Sequence, residues 1–339
     1  MKVLVRVIGT VLLLWLIFSR VNFSHLLNSF SSMNPLYWLG AFGLLVFTQV
    51  LSSQRWRILA RAVGFEGGLG LYISYFFIGM FFNLALPTSV GGDVVRAWYL
   101  GYRSPGGPVQ NRRSKAFLTV FSDRFSGVLV LVAIAVIATW ASPTELPAWM
   151  KGTVYLIGAG AVASFAFLPL IAKFGDRFTK IKVVLNSAKL CFGNIGVLAS
   201  TTAMSMWVQF ANISIMVLVG MGLGLDIPVP YYFVMVPLVT LMTMLPISLG
   251  GMGLREGATV LMLTPLGIEP ATAVALSLLN FSVYVVCGLL GVFFYLGARA
   301  NPGALASSEQ YSNNDQFSNN EEASDGNPFS DHSGQRRAG

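Results

Sequence analysis

Apolar residues run almost unbroken through eight stretches of this 339-residue chain, near 3–19, 36–53, 69–86, 116–140, 152–171, 195–223, 230–249 and 271–297. Most approach the ~20 residues that cross a hydrocarbon core as a helix, so the pattern predicts membrane helices, not strands. After the first run, Phe23, Leu26, Leu27 and Phe30 recur at helical spacing among Ser and Asn, which predicts a short interfacial helix over 23–34. The first run stands behind Lys2 as a signal peptide would. Its exit, Ser19-Arg20-Val21-Asn22, is a poor cleavage site, so it reads as a span. Residues 301–339 are rich in Ser, Asn and Glu and read as a disordered cytoplasmic tail behind a membrane domain of residues 1–300.

Composition narrows the class. The chain is 55% hydrophobic and 11% charged, whereas soluble domains carry about 25% charged residues. That excludes an ordinary soluble enzyme. The net charge is +8, yet residues 300–339 hold six acids and two arginines, leaving 20 basic and 8 acidic residues elsewhere. In so apolar a chain the basic surplus marks cytoplasmic loops and not nucleic-acid binding. Cys191, Cys287, His25 and His332 lack metal-ligand spacing, so no metal, cofactor or disulfide framework is expected.

The placement of charge sets the topology. Arg55, Arg57 and Arg61 follow the second run, Arg103, Arg112, Arg113 and Lys115 precede the fourth, and Lys173, Arg177, Lys180, Lys182 and Lys189 follow the fifth. These loops are cytoplasmic. The connections at 141–151, 224–229 and 265–270 are nearly free of basic residues and are external. Both flanks of the third run are then cytoplasmic and both flanks of the seventh external, which a single crossing does not allow. Each run must be followed by a segment that enters the membrane and returns, and 87–102 and 246–264 are the segments in place.

Those two segments match. Leu86, Pro87, Ser89, Gly91, Gly92 and Arg96 recur as Leu245, Pro246, Ser248, Gly250, Gly251 and Arg255, all displaced by 159 residues. Proline ends the preceding helix, Gly-Gly permits backbone angles other residues avoid, and a new half-helix follows. Two copies in opposite orientation predict an inverted-topology repeat with its substrate site near the midplane. The amides opening each half-helix suit an anionic group. Ordinary loop punctuation is the plainer reading of one such motif, and the second copy weighs against it. Gly250-Gly251-Met252-Gly253 is not a dinucleotide fingerprint.

The few remaining charges gather nearby. Asp123-Arg124 falls inside the fourth run, Asp93 lies three residues before Arg96, and Glu256 follows Arg255. Intramembrane charges are costly and usually paired around a cavity. For the arginines, a phosphate fork and structural pairing both stay open; for Asp93, so does capping. Polar stripes run through Thr202, Ser205, Gln209 and Asn212, and through Ser277, Asn280 and Tyr284. Each either lines a path or bonds between helices. Gly220-x-x-x-Gly224 reads as close helix packing.

Leu-Pro-x-Ser-x-Gly-Gly-Asp-x-x-Arg at 86–96, Asp-Arg-x-x-Gly at 123–127 and Pro-x-Ser-x-Gly-Gly-x-Gly-x-Arg-Glu-Gly at 246–257 resemble the lysylphosphatidylglycerol synthase transmembrane, or flippase-like domain, family. The resemblance covers residues 1–300. It implies an all-α integral membrane protein of about eight transmembrane helices plus two re-entrant half-helices in an inverted-topology repeat. It also implies a bacterial plasma-membrane flippase for an anionic or phosphate-bearing lipid, such as aminoacylated phosphatidylglycerol or a polyprenyl-phosphate-linked lipid, with both termini cytoplasmic. The family's best-known member carries a cytosolic aminoacyl transferase; here a polar tail is expected instead, so a separate lipid-modifying enzyme is an expected partner. The implied substrate-binding set is Ser89, Gly91, Gly92, Asp93, Arg96, Asp123, Arg124, Ser248, Gly250, Gly251, Arg255 and Glu256. Two rivals stand beside transport: a non-transporting partner of a glycosyltransferase or lipid synthase, and a membrane-embedded lipid-phosphate transferase. The second needs a catalytic constellation, and no histidine lies near the motifs.

Overall fold

A computed structural model describes residues 9–15, 19, 23–86, 91–103, 112–142, 145–175, 193–245 and 248–300. The motif residues Pro87, Ser89 and Pro246 and the polar tail lie outside them. The chain divides into two compact units, residues 1–296 and 297–339, and the packing described below belongs to the first.

Among the described residues the secondary structure is helical. Eleven α-helices follow one another: α1 (Phe23–Ser32), α2 (Pro35–Ala62), α3 (Leu69–Ala85), α4 (Gly91–Arg103), α5 (Arg112–Ala141), α6 (Ala148–Gly175), α7 (Ile195–Gly222), α8 (Val229–Thr243), α9 (Leu254–Leu263), α10 (Pro270–Leu289) and α11 (Gly291–Ala300). Residues 9–15 are also helical. Among the described residues four segments are long and apolar enough to cross a membrane: α2, α5, α7 and Pro270–Ala298, which joins α10 to most of α11. A short helix, expected over 23–34, is present as α1.

The third apolar run forms a short helix of about its own length, and the seventh a helix shorter than its hydropathy suggests. α3 has 17 residues and α8 has 15, hence roughly 22–26 Å at 1.5 Å per residue, short of a ~30 Å core. α3 ends at Ala85 because Leu86 is extended, with φ −94 and ψ 138. That is the conformation imposed on a residue preceding proline, and Pro87 follows.

Two sets of helices correspond along the chain. α2, α3, α4 and α5 end at residues 62, 85, 103 and 141, while α7, α8, α9 and α11 end at 222, 243, 263 and 300. All four displacements fall within about one residue of the 159 that separates the motifs. Packing partners correspond too. α2 packs on α7, the most extensive helix pair; α3 on α4 is matched by α8 on α9, α4 on α5 by α9 on α10, and α3 on α10 by α8 on α5. The core lies where these sets meet, with Ala41 and Leu45 of α2, Ile213, Met216 and Val219 of α7, and Val234, Met235 and Leu238 of α8 buried together.

Glycines serve this packing in two ways. Gly220 of α7 lies where a Cβ would strike the Tyr232 hydroxyl of α8, so it packs as the sequence suggests. Gly224 instead has φ 70 with open space around it and turns the chain after α7. At the surface, His25 of α1 meets Glu269 before α10 at 2.8 Å, with both side chains about half exposed. Exposed pairs of this kind contribute about 0–1 kcal/mol, so Glu269→Gln is expected to leave the melting temperature in detergent almost unchanged.

Candidate functional site

The first motif opens directly into α4. Gly91 and Gly92 are its first residues, and Gly92 does not have positive φ. Gly92 therefore does not use the freedom of backbone angle that the sequence suggests. Its need is space: a Cβ on Gly92 would meet the Gly79 carbonyl of α3, and one on Gly79 would lie 2.9 Å from the Gly92 carbonyl oxygen. The Gly92 N–H donates to Asn83 Oδ1 at 2.7 Å, so one of the helix-opening amides already has a partner.

This contact brings α4 against α3 and presents Asp93 and Arg96 to α5. Asp123 of α5 bridges two arginines, accepting from Arg55 Nε at 2.8 Å and from Arg96 Nη2 at 3.1 Å. Arg55 Nη1 continues to Ser205 Oγ of α7 at 2.7 Å. Asp93 lies 3.1 Å from Arg96 Nε, a charge contact without hydrogen-bond alignment. It is also chelated by Arg124 of α5 through Nε at 2.9 Å and Nη2 at 3.0 Å. The result is one chain, Ser205–Arg55–Asp123–Arg96–Asp93–Arg124, crossing α7, α2, α5 and α4. Asp123 and Arg124 pair away from each other, not together.

Arg96 is held by more than charge. Its guanidinium lies 5.1 Å from the Trp56 ring centroid and 4.8 Å from that of Phe76, the cation–π geometry. Its side chain is 2% exposed, and that of Arg124 48%. Three arginines against two carboxylates leave the chain one positive charge in excess, at an end open to the surroundings.

Arg55 is the member that sequence reading misassigns. The apolar run stops near residue 53, so Arg55 was grouped with Arg57 and Arg61 as a loop charge; the helix in fact continues to Ala62. The buried positions Leu45, Thr48, Ser52, Arg55 and Leu59 form a three-to-four-residue stripe, and that period places Arg55 inside. Arg112, Arg113 and Lys115 likewise belong to the first turns of α5 and not to a loop.

The second motif is built differently. Leu249–Gly251 forms a 3₁₀ turn, and Gly250, Gly251 and Gly253 have φ 58, 79 and 80. Here glycine supplies the left-handed angles anticipated from sequence. The Leu249 N–H donates to Thr10 Oγ1 at 2.8 Å. α9 then starts at Leu254, with Glu256 Oε2 accepting from the Gly253 N–H at 2.7 Å. Glu256 Oε1 accepts from Arg255 Nη2 at 2.7 Å, and the Arg255 guanidinium lies 3.8 Å from the Phe281 ring centroid.

The polar stripes bond between helices at three points. Ser205 accepts from Arg55, Gln209 Nε2 donates to the Gly127 carbonyl at 2.8 Å, and Tyr284 donates to Asn212 Oδ1 at 3.4 Å. Ser277 Oγ, Asn280 Oδ1 and Ser248 Oγ are buried without hydrogen-bond partners. A 490 Å³ recess lined by Arg61, Phe65 and Glu66 touches neither motif.

A family model described as lysylphosphatidylglycerol synthase TM region matches residues 3–291. No curated protein and no solved structure matches the chain.

Proposed function

We propose, since the chain belongs to the lysylphosphatidylglycerol synthase TM region family, that it carries an anionic, phosphate-bearing lipid across a bacterial plasma membrane. The observation that supports this reading most is the correspondence of the two helix sets. Exchanging the sets maps one group of helix contacts onto the other, and each set holds a short helix, a Pro/Gly motif and an arginine. Two such halves in opposite orientation provide two nearly equivalent packings, one open to each face, around a site between them.

In this reading residues 3–19, α2, α3, α5, α6, α7, α8 and α10 cross the membrane, and α4 and α9 are the returning half-helices. Residues 1–300 form the transporting unit, residues 301–339 the cytoplasmic tail. Arginine suits a phosphodiester because its planar fork donates two parallel hydrogen bonds. Asp93, Asp123 and Glu256 all face arginines, which favours structural and binding roles for them over acid–base chemistry. The sequence carries no nucleotide-binding fingerprint, so an ion gradient or lipid supply and consumption drives the movement.

Purified protein reconstituted with fluorescent phosphatidylglycerol is expected to expose the label to a reductant outside the vesicle faster than protein-free vesicles do. Arg255→Ala is expected to slow this about ten-fold or more, the effect of losing one charge-assisted contact. A parent rate equal to that of protein-free vesicles across anionic lipids would falsify the transport reading.

A further inference from the structure

The two motifs share a scaffold position but not an electrostatic environment. At the 159-residue displacement Arg96 falls on Arg255, while its charged companions fall on neutral residues: Arg55 on Ser214, Asp93 on Met252, Asp123 on Ser282 and Arg124 on Val283. The aromatic clamp is lost as well, because Trp56 falls on Ile215 and Phe76 on Met235. Ser282, at the position of Asp123, is already engaged. It accepts from Trp38 Nε1 at 2.9 Å and donates to the Leu279 carbonyl. Among the described residues Arg255 thus meets one carboxylate, its neighbour Glu256, which also holds the Gly253 amide. Its side chain keeps 15% of its surface, against 2% for Arg96.

The helix facing Arg255 is α10. Phe281, under the guanidinium, shares a helical face with Ser277 one turn before it and Tyr284 one turn after. Ser277 is fully buried and its hydroxyl has no partner; Asn280 Oδ1, beside this face, has none either. Ser248, in the turn leading to Arg255, adds a third buried oxygen without a partner. Buried polar atoms are nearly always hydrogen-bonded, so orphans on the helix packed against Arg255 and in the turn before it point to an absent polar ligand. The Arg96 guanidinium, whose Nη1 also lacks a hydrogen-bond partner, is covered instead by the Trp56 and Phe76 rings.

We propose that the second motif alone binds the transported headgroup. Arg255 takes a phosphodiester, and Ser277 and Asn280 take hydroxyl or ammonium donors on the same headgroup. The first motif is a structural tie. This rests on the transport reading and names the site within it. The ligand class follows from the chemistry present: a forked cation for the anion, and an amide oxygen and hydroxyl oxygens that need donors.

The orphans make the test selective. A structural pair loses stability when truncated; an unpartnered buried polar atom does not. The Ser277→Ala/Asn280→Ala variant of the full chain is therefore expected to melt in detergent no lower than the parent. It is also expected to bind short-chain dioctanoyl phosphatidylglycerol about ten-fold or more weakly than the parent, read from the lipid-induced rise in melting temperature. Inorganic phosphate is expected to produce no such rise in the parent. Lipid binding in the variant equal to the parent's overturns the site, as does a variant that melts well below the parent without lipid. An equal rise with inorganic phosphate assigns the site to a free anion and overturns its lipid assignment. Variant-sensitive binding without any translocation by the parent removes the transport reading and leaves the binding site standing.

Discussion

Asp123→Ala is expected to destabilise the protein by about 3–5 kcal/mol, the cost of removing one partner from a buried ion pair. Asp123 is 1% exposed and is the anion shared by Arg55 and Arg96. Its removal leaves Asp93 as the one carboxylate of the arginine chain, in contact with Arg96 and Arg124 and not with Arg55. Arg55 retains only the neutral Ser205 hydroxyl among its contacts described above, and Arg96 retains the poorly aligned charge contact with Asp93 and its two rings. Nothing apolar in the pocket compensates two desolvated guanidinium groups. Melting temperature and the yield of monodisperse protein in detergent both report the loss. Asp123→Asn is expected to fall between parent and alanine variant, because the amide keeps the shape and one acceptor but no charge. An alanine variant melting within a few degrees of the parent would show that the bridge carries no net stability.

Gly92→Ala is the second large effect, and it acts by contact, not charge. The added methyl meets the carbonyl of Gly79, a backbone atom inside α3 that has no rotamer to change. Overpacking a close-packed site costs about 1–3 kcal/mol, occasionally more. Here the strain also pushes α4 away from α3, which withdraws Asp93 and Arg96 from α5 and loosens the arginine chain. Stability and translocation are therefore expected to fall together. Gly250→Ala is the useful control. Its methyl meets open space, so the cost comes from the left-handed backbone alone. Equal stability of Gly92→Ala and parent would mean that the helices move apart freely, and that the glycine contact does not set their spacing.

The helical class and the paired motifs are legible in the sequence because each rests on local pattern: apolar length, helical spacing, a proline followed by glycines. The short reach of α3 was legible too, through Pro87. What escaped was long-range. Arg55 reads as a topogenic loop charge until its helix is known to continue, and its partner Asp123 lies 68 residues away. The different uses of the two Gly-Gly pairs also escaped. Identical letters serve helix contact at Gly92 and left-handed turning at Gly250 and Gly251, and only the neighbour across the gap, Gly79 in one case, decides which. The arginines of the two motifs look equivalent for the same reason. Their difference lies in counterparts on other helices, visible once the 159-residue displacement is applied to every charged neighbour.

The pairing of α2 with α7 carries a consequence for biogenesis. The most extensive helix contact joins segments whose starts, residues 35 and 195, lie 160 residues apart, so at about 5–20 residues per second α2 waits roughly 8–30 seconds for its partner to be synthesised. Once α5 has been made, Arg55 and Asp123 are in place, but Ser205 and the whole covering face of α7 are not. The nascent first half must be held by the insertion machinery, or by lipid headgroups at the membrane surface, until the second half arrives. Chains released between α6 and α7 are then natural substrates for membrane quality control, marked by an arginine that has not yet found its last neighbour.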